Sequence, residues 1–382
     1  MRRLLEAVYH FGVRIVFIVL GMFVDDKLII TESFHGRQYS DNPRALYEYI
    51  RDNNPEYHVV WAVKSGYEKP FIENDVPYVT RLGIKWMLTM PRAHYWIFNT
   101  RMPAWMHKGN RNVYLETWHG TPLKKLGLDI ADVHMPGTDT KKYRDSFIAE
   151  TSRWNYLIAP NEFSAEKFSS AFSVDSSRML TFGYPRNDFL FINKDNHELV
   201  QKIKKSLKID LGKKVLLYAP TWRDDNFIKK GSYHFDNQFP FADILAQHPD
   251  MVIVTRLHYL VADEFDASIY NGRVVDASNY PDIRDLYLIA DELVTDYSSV
   301  MFDFGVLQRP IYLYMYDYDK YKDELRGFYF NPVEQFSSAI CYTREELLAK
   351  LSNPRSADFT LPASMNEHGE SSEQIVDFLF NK

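Results

Sequence analysis

Short apolar runs recur along the chain, separated by stretches whose apolar residues return with helical spacing. They are Leu28 to Ile30, His58 to Val63, Tyr95 to Asn99, Tyr156 to Ala159, Val215 to Ala219, Met251 to Thr255, Glu292 to Thr295 and Ile311 to Tyr314. Many lack strict alternation, which predicts strands covered on both faces, as in parallel sheets flanked by helices. Two such series lie on either side of Gly183-Tyr184-Pro185-Arg186-Asn187-Asp188. They predict an α/β protein of two doubly wound domains with a cleft between them. Lys194 to Lys208 reads as an exposed linker and helix, and no solenoid repeat or low-complexity tract interrupts the pattern.

The first residues break this rhythm. Arg2 and Arg3 precede a mostly apolar stretch that ends in ten uninterrupted apolar or Gly residues, Ile15 to Val24. Ten residues are too few for a bilayer core that needs about 20 in a helix. Three readings compete: a signal peptide, an interfacial helix, or the first buried elements of the fold. No small-x-small cleavage site follows, and Asp25, Asp26 and Lys27 lead straight into a strand-like run. His10 and Arg14 interrupt the apolar face, which suits a helix lying in the headgroup layer. The reading adopted is a membrane-surface segment over residues 1–24, followed by domains over 25–190 and 191–382.

Composition narrows the function. The 382 residues are 46% hydrophobic and 25% charged, which excludes a disordered or fibrous chain. A net charge of −6 offers no global field for holding nucleic acid by counterion release. Cys341 is the single cysteine, so neither an intramolecular disulfide nor a cysteine zinc site is expected, and the cytosolic side is favoured.

Polar clusters stand at the ends of the strand-like runs, where open α/β sheets place their ligands. After Val113 to Leu115 comes Glu116-Thr117-Trp118-His119-Gly120-Thr121-Pro122-Leu123-Lys124-Lys125. An imidazole beside a Gly-Thr-Pro turn and two lysines sits where anions bind and can take a proton from an attacking hydroxyl, so His119 is the candidate general base. A plain hydrogen bond to a neighbouring turn is the structural alternative. After Val215 to Leu217 comes Tyr218-Ala219-Pro220-Thr221-Trp222-Arg223-Asp224-Asp225, where Thr221 can offer its hydroxyl and amide.

Thr255-Arg256-Leu257-His258 follows the strand from Met251, with Arg256 and His258 on one face if the strand continues. A structural ion pair is the alternative for Arg256. Val294-Thr295-Asp296-Tyr297-Ser298-Ser299 then enters a helical segment that includes Asp303. Capped by Asp296 or Ser298, its first turn would hold a pyrophosphate, unless it is an ordinary capped helix. Arg186, at the expected domain junction, would clamp a phosphate or form a linker salt bridge. Walker A, G-x-G-x-x-G, H-E-x-x-H and G-x-S-x-G patterns do not occur. The one D-x-D, Asp317-Tyr318-Asp319, is too weak to imply a metal, and no cofactor is expected.

Taken in order, WHGTPLKKLG, GYPRND, YAPTWRDD, RLH, DYSSVMFDF and ELRGFY resemble the CDP-glycerol glycerophosphotransferase family of wall teichoic acid synthesis. The likeness spans nearly the whole chain, including SFHGRQYSDNPRALYEYI near its start, and is nearest to the short glycerol-phosphate transferases. Tyr259 departs from it, standing where many relatives have Pro.

The resemblance implies a GT-B-like fold with the CDP part of the donor in the C-terminal domain. By position it maps the nucleotide-polyol site onto His119, Gly120, Thr121, Pro122, Leu123, Arg186, Pro220, Thr221, Arg256, Leu257, His258, Ser298, Ser299 and Asp303, with His119 and His258 as the two important histidines. It further implies CDP-glycerol as donor, an undecaprenyl-type lipid-linked teichoic acid precursor as acceptor, and a peripheral place on the cytoplasmic face of the membrane. Three rival readings remain open: a CDP-ribitol donor, a sugar-nucleotide glycosyltransferase of the same fold, and a catalytically silent subunit.

Overall fold

The structure is a computed structural model that describes residues 2–133, 139–221, 227–229, 232–233, 238–257, 265–321, 327–354 and 359–381, with backbone alone at 2–8, 227–229 and 232–233. It divides into two compact units. The first comprises 1–119, 126–189 and 367–382, and the second 120–125 and 190–366.

The first unit is built on seven parallel strands: β1 (Asp25–Glu32), β2 (His58–Val63), β3 (Tyr78–Thr80), β4 (Ala93–Phe98), β5 (Val113–Glu116), β6 (Tyr156–Ile158) and β7 (Met179–Leu180). Their order is β3-β2-β1-β4-β5-β6-β7, so the chain starts in the middle, runs outward, and returns to β4 to fill the other half. Both faces are apolar. Ile30, Ala62, Trp96, Phe98 and Tyr114 enter one core cluster, while their neighbours Ile29, Trp61, Tyr95, Ile97 and Leu115 enter the other. Side chains alternate across a strand, so a run with no polar alternation is what a sheet covered on both sides requires.

The second unit repeats the plan with β8 (Lys214–Tyr218), β11 (Met251–Thr255), β12 (Val274–Asp276), β13 (Glu292–Thr295), β14 (Ile311–Tyr314) and β15 (Ile340–Cys341). A short antiparallel pair, β9 (Phe227–Lys229) and β10 (Ser232–Tyr233), stands apart. The six-stranded order is β12-β11-β8-β13-β14-β15, all parallel. Both sheets are thus doubly wound α/β sheets, as a GT-B-like fold requires. Cys341 is fully buried on β15, and burial pushes its thiol up to about 12.

Two expectations are corrected. Residues 367–382, placed with the second half on sequence grounds, belong to the first unit. The Ser371–Phe380 helix buries Ile375, Val376 and Leu379 in the cluster that holds Leu46 and Tyr95. Asp188 fixes its start, accepting the Ser371 and Ser372 amides at 3.0 and 2.7 Å. Gly183 makes room for it: its φ is +96°, and a Cβ there would stand 2.4 Å from Ser371 Oγ. Second, residues 120–125, part of the expected 25–190 domain, belong to the second unit. Their partners are there, since the Lys125 amide donates to Gly327 O at 2.9 Å and Leu123 O accepts the Tyr329 amide at 2.9 Å.

The opening segment forms the helix α1 (Arg2–Leu20). Val13 and Phe17 are buried in the first unit's core, with Phe17 against Trp86, whereas Phe11, Met22 and Phe23 are each about two-thirds exposed. One face therefore serves the fold and the other is left uncovered.

Asp188→Ala removes two charge-assisted bonds at a helix N-terminus, each worth roughly 1.5–3 kcal/mol. Thermal unfolding followed by circular dichroism is expected to show a midpoint lower by roughly 5 °C or more. Asp188→Asn, which keeps one acceptor oxygen, should recover part of the loss.

Candidate active site

In a doubly wound sheet the strand order reverses between two neighbours, and the loops leaving their carboxyl ends part to leave a crevice. In the first unit this happens between β1 and β4. The loop after β4 begins with Asn99, fully buried, whose side chain accepts the Phe34 amide at 2.9 Å and donates to Ser33 Oγ at 3.1 Å and to Asp41 Oδ2 at 2.9 Å. Asp41 opens α2 (Asp41–Asn53) at a φ of 67°, a conformation costly for a residue with a Cβ. Its Oδ1 accepts Nη1 of Arg186 at 2.7 Å, forming an ion pair buried on both sides. Next to it, Asn42 donates to the Thr117 and Trp118 carbonyls and accepts the Arg186 amide at 3.1 Å.

This frame holds His119. Its Nδ1 lies 2.7 Å from the carbonyl oxygen of Asn99. A carbonyl only accepts, so Nδ1 carries the proton and Nε2 keeps its lone pair. Trp118, itself at a φ of 51°, stacks on the imidazole at 4.6 Å, and Phe34 meets it edge-on at 5.8 Å. Phe34, His35, Asp41 and Trp118 all have positive φ, which gathers backbone strain around this one side chain.

Burial is the largest influence on His119 and holds its pKa below the usual imidazole value; Asp41 pulls the other way and Arg186 adds to the lowering. The ring is therefore neutral at pH 7. Nearby, burial pushes Glu116 up to about 8, so its carboxyl is largely uncharged at neutrality, and pushes Glu32 up to about 7 against the opposing pull of Arg81, whose Nε donates to Glu32 Oε2 at 2.8 Å. Glu116 Oε1 accepts the Trp118 amide at 3.1 Å and thereby shapes the loop that presents His119.

The second unit reverses between β8 and β13. Thr295 Oγ1 donates to Ala219 O at 2.7 Å, and Asp296 Oδ1 accepts the amides of Thr221 at 2.8 Å and Tyr297 at 2.6 Å. Pro220 and Thr221 are thus held beside Asp296 and the serines after it. Ser299 occupies the N-cap position of the short Val300–Gly305 helix without a side-chain capping bond, and Ser298 Oγ reaches the Val300 amide only at 3.5 Å. The expected cap by Asp296 or Ser298 is therefore corrected: Asp296 ties two loops together, and Ser299 holds the cap position. Asp303 is buried one turn on.

Gly120 comes into contact with this turn, since a Cβ on it would stand 2.8 Å from Ser299 Oγ. Thr121 is buried, and its Oγ1 has no hydrogen-bond partner among the described residues. Lys124 Nζ meets Tyr321 Oη at 3.2 Å, and Tyr321 stacks on Tyr297 at 3.7 Å. Within the second unit Gly120 thus meets Ser299, and Asp296 ties Thr221 to the turn that leads to it.

The other expected residues also make contacts of their own. Arg256 Nη1 donates to the carbonyls of Ala277, Ser278 and Tyr280 at 2.8, 2.8 and 2.6 Å, so this nitrogen clamps a loop, and Nε and Nη2 have no partner among the described residues. Leu257 is buried, with its amide on Ser278 Oγ at 3.0 Å. Arg186 forms the buried salt bridge with Asp41. Pro122 and Leu123 are buried beside Thr121. His258 and Trp222 lie outside the described residues. Asp41, Asn42 and Glu116 were not singled out from the sequence, nor was Asn99, although a polar residue closing the apolar run Tyr95 to Asn99 was a usable signal. Among the described residues no three His, Cys, Asp or Glu side chains gather as metal ligands.

Comparison with known proteins supplies the chemical setting. Residues 14–381 match the family described as CDP-Glycerol:Poly(glycerophosphate) glycerophosphotransferase. The chain is 50% identical over 336 residues to a teichoic acid glycerol-phosphate transferase of Staphylococcus aureus, covering 88% of this chain and 86% of that protein. It is 46% identical over 369 residues to a teichoic acid poly(glycerol phosphate) polymerase of Bacillus subtilis, covering 94% of this chain and 49% of that protein, and so spans about half of that relative's length. A solved structure of the wall teichoic acid polymerase TagF aligns with a TM-score of 0.88 at 37% identity, covering 100% of this chain and 97% of that one. With two doubly wound sheets and a nearly end-to-end match, the chain belongs to the CDP-glycerol:poly(glycerophosphate) glycerophosphotransferase family.

Proposed function

We propose that the protein transfers glycerol phosphate from CDP-glycerol to the terminal hydroxyl of a lipid-linked, glycerophosphate-primed teichoic acid precursor, releasing CMP. The observation that carries the chemistry is the 2.7 Å contact of His119 Nδ1 with Asn99 O, which leaves a neutral imidazole with Nε2 ready to accept a proton. Family membership supports the donor class.

In this reaction the acceptor oxygen attacks the phosphorus that bears the glycerol. The new P–O bond forms as the bond to CMP breaks, and the hydroxyl proton passes to Nε2 of His119. General base catalysis of this kind contributes about 10²–10⁴ in rate. Charge on the departing CMP is met by hydroxyls and amides around Thr121, Thr221, Ser298 and Ser299 and by the free nitrogens of Arg256, with His258 entering from the sequence alone.

We also place the protein peripherally on the cytoplasmic face of the membrane. No described helix is long and apolar enough to cross a bilayer. Phe11, Ile15, Ile18 and Val19 on α1, with Met22 and Phe23 in the turn after it, are all nearly half exposed or more, an apolar surface with the character of an interfacial helix. Ile84 and Leu88 are exposed on the Ile84–Thr89 helix, which packs against α1.

Three outcomes follow. With CDP-glycerol and a synthetic lipid-linked primer, CMP release by His119→Ala is expected to fall by roughly 10²–10⁴ with little change in KM; near-normal turnover would remove the base assignment, and turnover with CDP-ribitol alone would reassign the donor. Because the pKa of His119 is lowered, its base form already predominates at the ordinary imidazole value of about 6.5 and only gains above it. The acid limb of log kcat/KM is accordingly expected to have its midpoint below that value, with a level profile from about pH 7.5 to 8; a decline centred above pH 7 would contradict the neutral ring. Third, replacing Phe11, Met22 and Phe23 by Ser is expected to abolish pelleting with lipid vesicles while leaving the thermal midpoint intact, and unchanged pelleting would place the membrane contact elsewhere.

A further inference from the structure

At the edge of the first sheet opposite His119, where strands begin, a cavity of about 580 Å³ is lined by Lys108, Ser152, Arg153, Asn155, Ser177 and Arg178 among others. Three of these are cations and none is a carboxylate. Arg153 is committed: it pairs with Glu150 and donates to the Pro103, Met106 and Met102 carbonyls. The other two are not. Among the described residues Lys108 Nζ reaches only Gly109 O, at 3.5 Å, and Arg178 uses Nη1 alone, on Trp154 O at 2.8 Å. Neither has a carboxylate ion pair among the described residues; Asp175, the nearest carboxylate to feel Arg178, is turned to Ser177. Asn155 spends its oxygen on the Tyr114 amide at 2.9 Å, and its amide nitrogen has no partner among the described residues.

A lysine and an arginine with spare donors around one cavity form an unfinished arrangement. Burial and the positive charge of Arg153 both push the Lys108 pKa down, so the two cations repel each other. An anion relieves that repulsion and fills the donors. The chain beside Lys108 also reaches α1: His107, next to it, feels the charge of Arg14, and His10 stacks on Trp105 at 5.2 Å. The segment that carries Lys108 thus lies beside the uncovered apolar helix.

We propose that this cavity is a phosphate-ester site that takes the glycerol-phosphate headgroup of an anionic phospholipid. Lys108 Nζ, the free nitrogens of Arg178 and the Asn155 amide hold the phosphate oxygens, and Ser152 and Ser177 border the glycerol. The inference rests in part on the membrane reading of α1, which supplies the lipid surface, but the pocket chemistry stands without it. It gives the protein a headgroup preference separate from its donor site.

The test compares the full-length protein with Lys108→Ala/Arg178→Ala and with a charge-matched control, Lys141→Ala/Lys142→Ala, at two exposed lysines. Vesicles of phosphatidylcholine, with and without phosphatidylglycerol, are used in sedimentation. Each cation near an anionic surface is worth about 1 kcal/mol, so the pocket variant is expected to bind phosphatidylglycerol vesicles roughly 25-fold more weakly, with the control and CMP release on a soluble acceptor unchanged. Equal losses in the control would overturn the site in favour of diffuse charge, as would an unaltered pocket variant. Short-chain dihexanoyl phosphatidylglycerol, below its micellar concentration, is expected to bind the wild type saturably and the variant not at all. If glycerol 3-phosphate bound as tightly, the lipid assignment would fall and a soluble phosphate ester would take its place. If the wild type ignored all vesicles yet bound the short-chain lipid, the membrane reading of α1 would fail while the pocket stood. Lys108→Arg/Arg178→Lys, retaining charge, should restore vesicle binding and so exclude misfolding as the cause.

Discussion

The site depends on one contact, the hydrogen bond between His119 Nδ1 and the carbonyl of Asn99. A histidine on a loop has two tautomers and a free ring torsion; a fixed carbonyl removes both freedoms. The carbonyl is fixed because Asn99 follows β4 and its side chain is tied to Phe34, Ser33 and Asp41. Those residues leave the strand β1 or open the helix after it. The reversal of strand order between β1 and β4 is therefore what brings the orienting group to the base.

Charge is arranged around that contact with the same economy. Asp41 and Arg186 form a buried pair, and removing one partner of such a pair typically costs about 3–5 kcal/mol, mostly for the charge left behind. Their influences on His119 oppose one another, so the pair organises the loop while adding little net field to the ring. Burial decides the protonation state. The neighbouring carboxyls follow the same rule: Glu116 is pushed up to about 8, which keeps a full negative charge from standing behind the base and raising its pKa.

Much of this architecture was legible in the chain. The runs His58 to Val63, Met251 to Thr255, Glu292 to Thr295 and Ile311 to Tyr314 are strands to the residue. Edge strands such as β7 and β15, two residues each, leave too short a pattern to read. Asp41, Asn42 and Asn99 were hidden because their roles come from strand order, which brings together residues more than fifty positions apart. The return of Ser371–Phe380 to the first unit was hidden for a similar reason: its apolar face marks a helix to be buried, but not the surface that buries it. Arg256 shows the opposite difficulty. An arginine after a strand suggests phosphate, and its three carbonyl partners appear only when the 277–280 loop is folded beside it.

The same reasoning resolves the opening helix. From sequence, burial and membrane attachment competed as explanations of its apolar residues, yet a helix has two sides. Val13 and Phe17 recur at four-residue spacing and complete the core, so this face is needed for folding. Phe11, Ile15, Ile18 and Val19 occupy the remaining circumference, where a helix serving only the core would carry polar residues, and Met22 extends the exposed apolar surface just past its end. Removing the segment outright would therefore open the core as well as strip the exposed face. Only substitutions confined to the outer face can separate attachment from stability.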